Sequence, residues 1–278
     1  LEGGFDHPTD VAVSGDGRAY VVDGVNHRVV VFDHGGDRLS TFGREGGGDG
    51  ALRSPLGIAL GGSGTVYVAD SGNHRVQIFD PDGVYLDQIP IPAPPGRARA
   101  ADPTDVAVDE AADRCFVVDN DNHRIVAFEL STERLLGEFG SYGTREGHLH
   151  YPFLAALDDG LRLHVVEVIN ARVQVFDAET KHVGYVGAWG VEPGEFHRPK
   201  GIALDDEGRV FVSDSFLGVL QVFSPRGDLL GVVGDPGTQS PRIFQTPMGI
   251  FVDGEDRLYV VEMSLDRVGV YQIVRDAG

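Results

Sequence analysis

An acid and an arginine recur five positions apart along this chain: Asp23 and Arg28, Asp70 and Arg75, Asp119 and Arg124, Glu167 and Arg172, Glu262 and Arg267. At that spacing, across a tight corner between two strands, a carboxylate and a guanidinium can meet and share charge-assisted hydrogen bonds. A single such pair can orient a catalytic group. Pairs spread evenly over 278 residues would mean a ring of equivalent active sites, which is a poor explanation. They are read as structural corner braces. Asn26, Asn73 and Asn122 stand inside three of the corners, and asparagine tolerates the left-handed backbone such turns use. A sixth acid, Asp214, has Val219 where the arginine belongs.

Two further constellations carry potential chemistry. His148 and His150 form a His-x-His, and His197 lies two residues before its proline just as His150 does. Three imidazoles on adjacent loops are candidate ligands for zinc or copper. Solvated loop histidines are the commoner outcome, so no metal or other cofactor is expected. Asp10 and Asp105 each lie just after a proline, where a bound metal could polarise a carbonyl or activate water. The equivalent positions elsewhere, Gly57, Leu154, Gly201 and Gly249, supply no ligand, and two acids make a poor cage. Cys115 is the lone cysteine, in the apolar run RCFVVD, so it is read as a packed thiol. No internal disulfide or thiolate zinc site is available to this chain.

The elements that must position these residues are set by repetition. Pro8, Pro55, Pro103, Pro152, Pro199 and Pro247 are spaced at 47, 48, 49, 47 and 48 residues. A fixed period of this length marks a repeat architecture. Each unit reads as four short β-branched and aromatic runs separated by Gly, Asn, Asp and Pro. One such sheet cannot bury both of its faces, and six around an axis bury one another. The expected fold is all-β, a six-bladed β-propeller occupying 1–278 as one domain. The blades fall at about 5–46, 52–91, 100–143, 149–190, 196–235 and 244–275. The sixth unit lacks its outer strand, which leaves an unpaired edge. A segment upstream of Leu1, or a partner, is expected to supply that strand; a three-stranded last blade is the alternative. His164 fills the slot held by Tyr20, Tyr67, Phe116, Phe211 and Tyr259 and is read as a core substitution.

FGREGGGDGALRSPLGIALGGSGTVYVADSGNHRVQIFDPDG, residues 42–83, resembles the NHL repeat, named for Asn-His-Leu. That resemblance extends over essentially the whole chain and implies the six-bladed propeller. For function it implies several roles: RNA-binding modules, protein-docking modules, sensor domains and, in a related group, an amidating lyase. PKGIALDDEGRVFVSDSFLGVLQVFSPRGDLL, residues 199–230, is similar to exported bacterial propellers encoded beside multihaem cytochromes. An extracytoplasmic location, periplasmic or at the cell surface, is therefore expected.

Where the copies differ, function is expected. The corners of blades 1 to 3 are polar: GVNH, SGNH and NDNH. Those of blades 4 to 6 are VINA, SFLG and MSLD. Val168, Ile169, Phe216, Leu217, Val219, Met263 and Leu265 are therefore expected to form an apolar partner-binding sector, since contiguous exposed apolar surface marks interaction sites. The formal net charge of −20 opposes nucleic acid and anionic membranes, so any membrane contact would be indirect. Arg97, Arg99, Arg145 and Arg198 are the only candidates for a local basic patch considered for RNA. The leading expectation is a non-enzymatic protein-docking or scaffold module whose partner is another protein, the resemblance of residues 199–230 pointing to a multihaem cytochrome complex. A metal-dependent lyase or lactone hydrolase is the alternative, and a sensor or ligand-binding domain the second alternative. The amidating lyases of the resembling group carry disulfides, which Cys115 alone cannot form.

Overall fold

The computed structural model describes residues 1–94, 96, 99–235 and 240–274. Arg97 of the expected basic patch lies outside the described residues, as does position 275, the expected end of the last blade. Five four-stranded antiparallel meanders and one three-stranded sheet follow one another along the chain. Their inner strands are Pro8–Val13, Ile58–Leu60, Pro103–Asp109, Pro152–Leu157, Pro199–Leu204 and Pro247–Val252. The strands occur because β-branched and aromatic residues alternate faces in short runs that turn chemistry interrupts.

Each hydrophobic core is a seam between neighbouring blades rather than the interior of one blade. Tyr20, Val22, Val29 and Val31 of blade 1 pack with Leu52, Val66, Val68 and Phe79 of blade 2. Equivalent clusters join blades 2 and 3, 3 and 4, 4 and 5, and 5 and 6. The ring closes where Val11, Val21 and Val30 meet Tyr259, Val261 and Val268. Cys115 is fully buried in the blade 2–3 seam, and burial pushes its thiol up to about 12. His164 is buried on the second strand of blade 4, with Nε2 3.5 Å from Asp158 Oδ2.

Among the described residues the sixth sheet holds three strands, Pro247–Val252, Arg257–Glu262 and Arg267–Gln272. Leu1 lies along its outer edge and exchanges both backbone hydrogen bonds with Val268, at 2.5 and 3.3 Å. Val268 matches Val29 of blade 1, whose partner is the outer-strand residue Phe42. Leu1 thus takes the place beside blade 6 that Phe42 takes in blade 1.

The corners contain one correction. Their left-handed residue is the one after the asparagine position: His27, His74, His123, Ala171, Gly218 and Asp266 have φ between 49° and 70°. The asparagines instead spend their amides on hydrogen bonds. Asn73 Nδ2 donates to Gly46 O and to Asp70 Oδ2, both at 2.8 Å, and Asn170 repeats this toward Gly143 and Glu167.

Candidate functional site

Successive strands reverse direction, so the corners between second and third strands emerge on the same face as the loops leading into each inner strand. On that face the five acid–arginine pairs are closed. Arg28, Arg75, Arg124 and Arg172 donate Nε to Asp23, Asp70, Asp119 and Glu167 at 2.7, 2.8, 2.7 and 2.5 Å. Arg267 donates both Nε and a terminal nitrogen to Glu262 Oε1, at 2.9 and 2.6 Å. All six acids of the series are buried. Each also accepts a backbone N–H from the lead-in loop, as Asp70 does from Arg53 at 2.6 Å and Glu167 from His150 at 2.9 Å. The brace therefore pins loop, corner and blade together. A buried charge needs this many partners.

Blade 5 solves the same problem without an arginine. Asp214 accepts four backbone N–H groups: His197 and Arg198 on Oδ2, at 2.7 and 2.9 Å, and Phe216 and Leu217 on Oδ1, at 3.0 and 2.9 Å. The corner closes inward around its acid, with Phe216 exposed and Leu217 half-buried.

The expected apolar sector is only partly exposed. Ile169, Phe216 and Leu265 are 53%, 61% and 44% exposed, whereas Val168 is buried. Met263 packs half-buried against the blade 6–1 core, and Leu217 and Val219 are also half-buried. Val168 therefore leaves the sector. Other residues that the corner comparison did not single out extend it. Trp189 (69% exposed) and Val191 lie on the loop into blade 5, Ile243 on the loop into blade 6, Tyr142 on the loop into blade 4, and Val25 on the corner of blade 1. Ile243 Cγ2 lies against Gly218 of the blade 5 corner, and the His197 and Phe216 rings are 4.0 Å apart. Trp189 is the only tryptophan of the chain. A single tryptophan in the loop GAWGVEPGE was the available signal.

The histidine candidates do not converge. His150 belongs to a ring cluster with His123, Tyr142 and Tyr151, while His148 turns back to Glu146 O. His197 is committed to Phe216 on another blade. Among the described residues, the set of potential metal ligands within reach of one another is Asp6, His7 and Asp266, mostly exposed. His7 Nδ1 is 2.6 Å from Asp6 Oδ1, and the His7 backbone N–H donates to Asp266 Oδ1 at 2.8 Å.

At the axis, a cavity of about 260 Å³ is lined by the six inner strands. Asp10 and Asp105 border it, both buried. Each carboxylate reaches the next blade: Asp10 Oδ2 accepts from Ile58 N at 3.0 Å and Asp105 Oδ2 from Ala155 N at 2.7 Å. Each also leans on a glycine of the preceding blade. A Cβ at Gly57 would lie 2.7 Å from Asp105 Cα, and one at Gly249 2.7 Å from Asp10 Cα. Each of the two acids is preceded around the ring by a glycine, because its carboxyl needs a neighbour without a side chain there. Burial pushes Asp10 up to about 7, against the pull of the Ile58 N–H. Burial, and then the charge of Asp10, raise Asp105 well above the usual carboxylate range.

Above the cavity, Phe153 of blade 4 packs against both the blade 4–5 core and the blade 6–1 core on the far side of the axis. Lys200 of blade 5 lies over its ring, Nζ 3.9 Å from the centroid. Burial, and then Arg198, lower its amine to about 8.

Among the described residues no helix is long and apolar enough to cross a membrane. No curated protein matches the chain. Several solved structures share its fold. A streptogramin B lyase aligns with a TM-score of 0.69 at 14% identity, covering 99% of this chain and 86% of that one. Hydrazine synthase from Kuenenia stuttgartiensis aligns at 0.68 and 11%, covering 99% and 98%. A protein of unknown function from Bacteroides thetaiotaomicron aligns at 0.72 and 18%, covering 96% and 70%. These likenesses concern the fold alone. The NHL repeat family matches residues 5–32 and 52–79, the first two blades. The chain is a six-bladed β-propeller whose first two blades match the NHL repeat.

Proposed function

We propose that this propeller is a non-enzymatic docking module that holds another protein on its corner face. The observation that carries the reading is the set of exposed large apolar residues there, with Trp189 and Phe216 at 69% and 61% exposure. Aromatic residues are enriched at interface centres, and charged ones are depleted there. The six brace acids support the same reading, because they are buried and add no exposed charge to the corners that hold Ile169, Phe216 and Leu265.

The metal-assisted lyase or hydrolase reading meets a specific obstacle. Asp10 and Asp105 each have an oxygen committed to a backbone N–H of the next blade, so a metal would compete with the seam. The proposal sets the module outside the cytoplasm, in an electron-transfer assembly. The similarity of residues 199–230 to exported propellers supports this, and fractionation of the native organism tests it.

The deciding experiment is chemical cross-linking and affinity capture from that organism, with the intact ring and its Phe216→Asp/Leu217→Asp double variant as baits. The expected result is one protein cross-linked to blades 4 to 6 by the native ring and lost with the folded variant. Equal capture by both baits would sink the docking reading.

A further inference from the structure

The ring closes where the corner of blade 6 meets the loop leading into blade 1, and the side chains of this seam differ from those of the other five. Two positions before each proline stand Asp6, Arg53, Ala101, His150, His197 and Gln245, so blade 1 alone has an acid there. In blades 1 and 3 the left-handed corner residue is a histidine, whose Nδ1 accepts the N–H of the residue before the next proline. His27 accepts from Ser54 at 3.0 Å, and His123 from Tyr151 at 3.2 Å. Blade 6 has Asp266 in that slot, and its Oδ1 accepts the N–H of His7 at 2.8 Å. One carboxylate oxygen thus does the work of the imidazole nitrogen, and the second takes no part in that bond.

Three ligand-type side chains meet as a result. His7 Nδ1 lies 2.6 Å from Asp6 Oδ1, and ligand atoms of Asp6, His7 and Asp266 all lie within 4.8 Å of one another. Nitrogen and oxygen ligands at about 2.0–2.2 Å from a first-row cation stand roughly 3–3.5 Å apart, so small rotations of these side chains bring all three onto one ion. The two carboxylates also lack a basic partner. Among the described residues no lysine or arginine pairs with Asp6 or Asp266, and the adjacent Arg267 is spent on Glu262. The brace acids of the same face are met by arginines or by several backbone N–H groups, so this pair is the exception. Two unpaired negative charges beside one imidazole call for a divalent cation. The imidazole decides which kind: oxygen ligands alone suit calcium or magnesium, whereas a nitrogen ligand favours zinc and its first-row neighbours.

We propose that Asp6, His7 and Asp266 bind a first-row divalent cation such as zinc, which staples the first and last blades of the ring together. His7 and Asp266 stand 259 positions apart, so an ion held by both joins two blades that no short loop connects. Three protein ligands at an exposed site leave the remaining coordination positions to water. An ion that binds the closed ring and not the unfolded chain stabilises the ring by mass action. The site does not rest on the docking reading, because its test needs no partner protein.

Zinc is the probe, added to the untagged, metal-free ring at pH about 8, where imidazoles are neutral and free to ligate. Calcium and magnesium are the controls. Calorimetry is expected to show one zinc equivalent, and zinc at about a hundredfold its Kd should raise the midpoint of thermal unfolding by roughly 5 °C. Asp266→Asn keeps an acceptor for the His7 N–H and suits the left-handed backbone, as His7→Asn suits the left-handed backbone at position 7. Each variant should weaken zinc binding about tenfold or more and remove the rise in midpoint, while His148→Gln leaves both unchanged. Absence of a bound zinc equivalent would overturn the proposal. Zinc held equally tightly by the Asp266 and His7 variants would place the ion elsewhere and overturn it too. Binding without any rise in the midpoint would overturn the staple, and an equal rise with calcium would overturn the first-row assignment.

Discussion

Ser213 Oγ donates to Met248 O at 2.7 Å across the seam between blades 5 and 6, the contact that Thr9 and Thr104 make from the inner strand in blades 1 and 3. One hydroxyl on a different strand thus changes what its blade can place at the axis. Removing it by Ser213→Ala strands Met248 O and Gly201 N in the interior, at about 1–3 kcal/mol for a buried unsatisfied group. The double variant Ser213→Ala/Lys200→Thr restores the hydroxyl from the position used by the other odd blades. It is expected to be more stable than Ser213→Ala alone, by denaturant melts of the single and double variants. Additive losses would show that the two positions do not substitute for one another.

Asp10 makes the stability of the ring depend on pH. Its folded value is raised to about 7 from 3.8, so the folded state binds the extra proton between those limits. Stability then falls as pH rises through that window, and the fall levels off above about 7. Asp105 pushes in the same direction. Asp10→Asn keeps an acceptor for Ile58 N and removes the titration. Relative to the native chain it should gain stability at pH 8, on the order of 1–3 kcal/mol, and little at pH 4. Equal differences at both pH values would mean that Asp10 does not titrate in this range.

Gly57 meets the backbone and carboxylate of Asp105 across the blade 2–3 seam. Gly57→Ala forces that seam apart and should cost about 1–3 kcal/mol, as overpacking does. Gly62→Ala, where a Cβ meets nothing within 4 Å, is the matched control. Thermal melts that place the two variants together would refute the close approach.

The fold was legible because its determinants are local and repeated. Prolines at fixed intervals, alternating apolar runs and acid–arginine pairs five positions apart all lie within one unit. The site was less legible because its features depend on residues far apart in the chain. Lys200 is left without a seam contact by Ser213, 13 positions later, and it rests on Phe153, 47 positions earlier. Val168 and Ile169 are adjacent and equally apolar, yet the first is buried and the second exposed. Blade 5 looked like a corner that had lost its brace, whereas backbone N–H groups had taken the arginine's place on Asp214. Loss of a side chain shows in a sequence; its replacement by main chain does not.

Blades 2 and 5 are therefore expected to answer reciprocal substitutions differently. Arg75 is buried, pairs with Asp70 and donates to the carbonyls of Gly48 and Ala51, each at 2.9 Å. Arg75→Val leaves Asp70 buried with its cation gone, a loss of about 3–5 kcal/mol. At the matching position of blade 5, Val219→Arg offers a guanidinium to a carboxylate already holding four N–H groups. No stabilisation is expected there, because the new ion pair would have to displace backbone donors that have no other partner. Urea denaturation of both variants gives the comparison. A gain in stability from Val219→Arg would mean that Asp214 has acceptor capacity to spare, and that the blade 5 corner is held more loosely than its four hydrogen bonds imply.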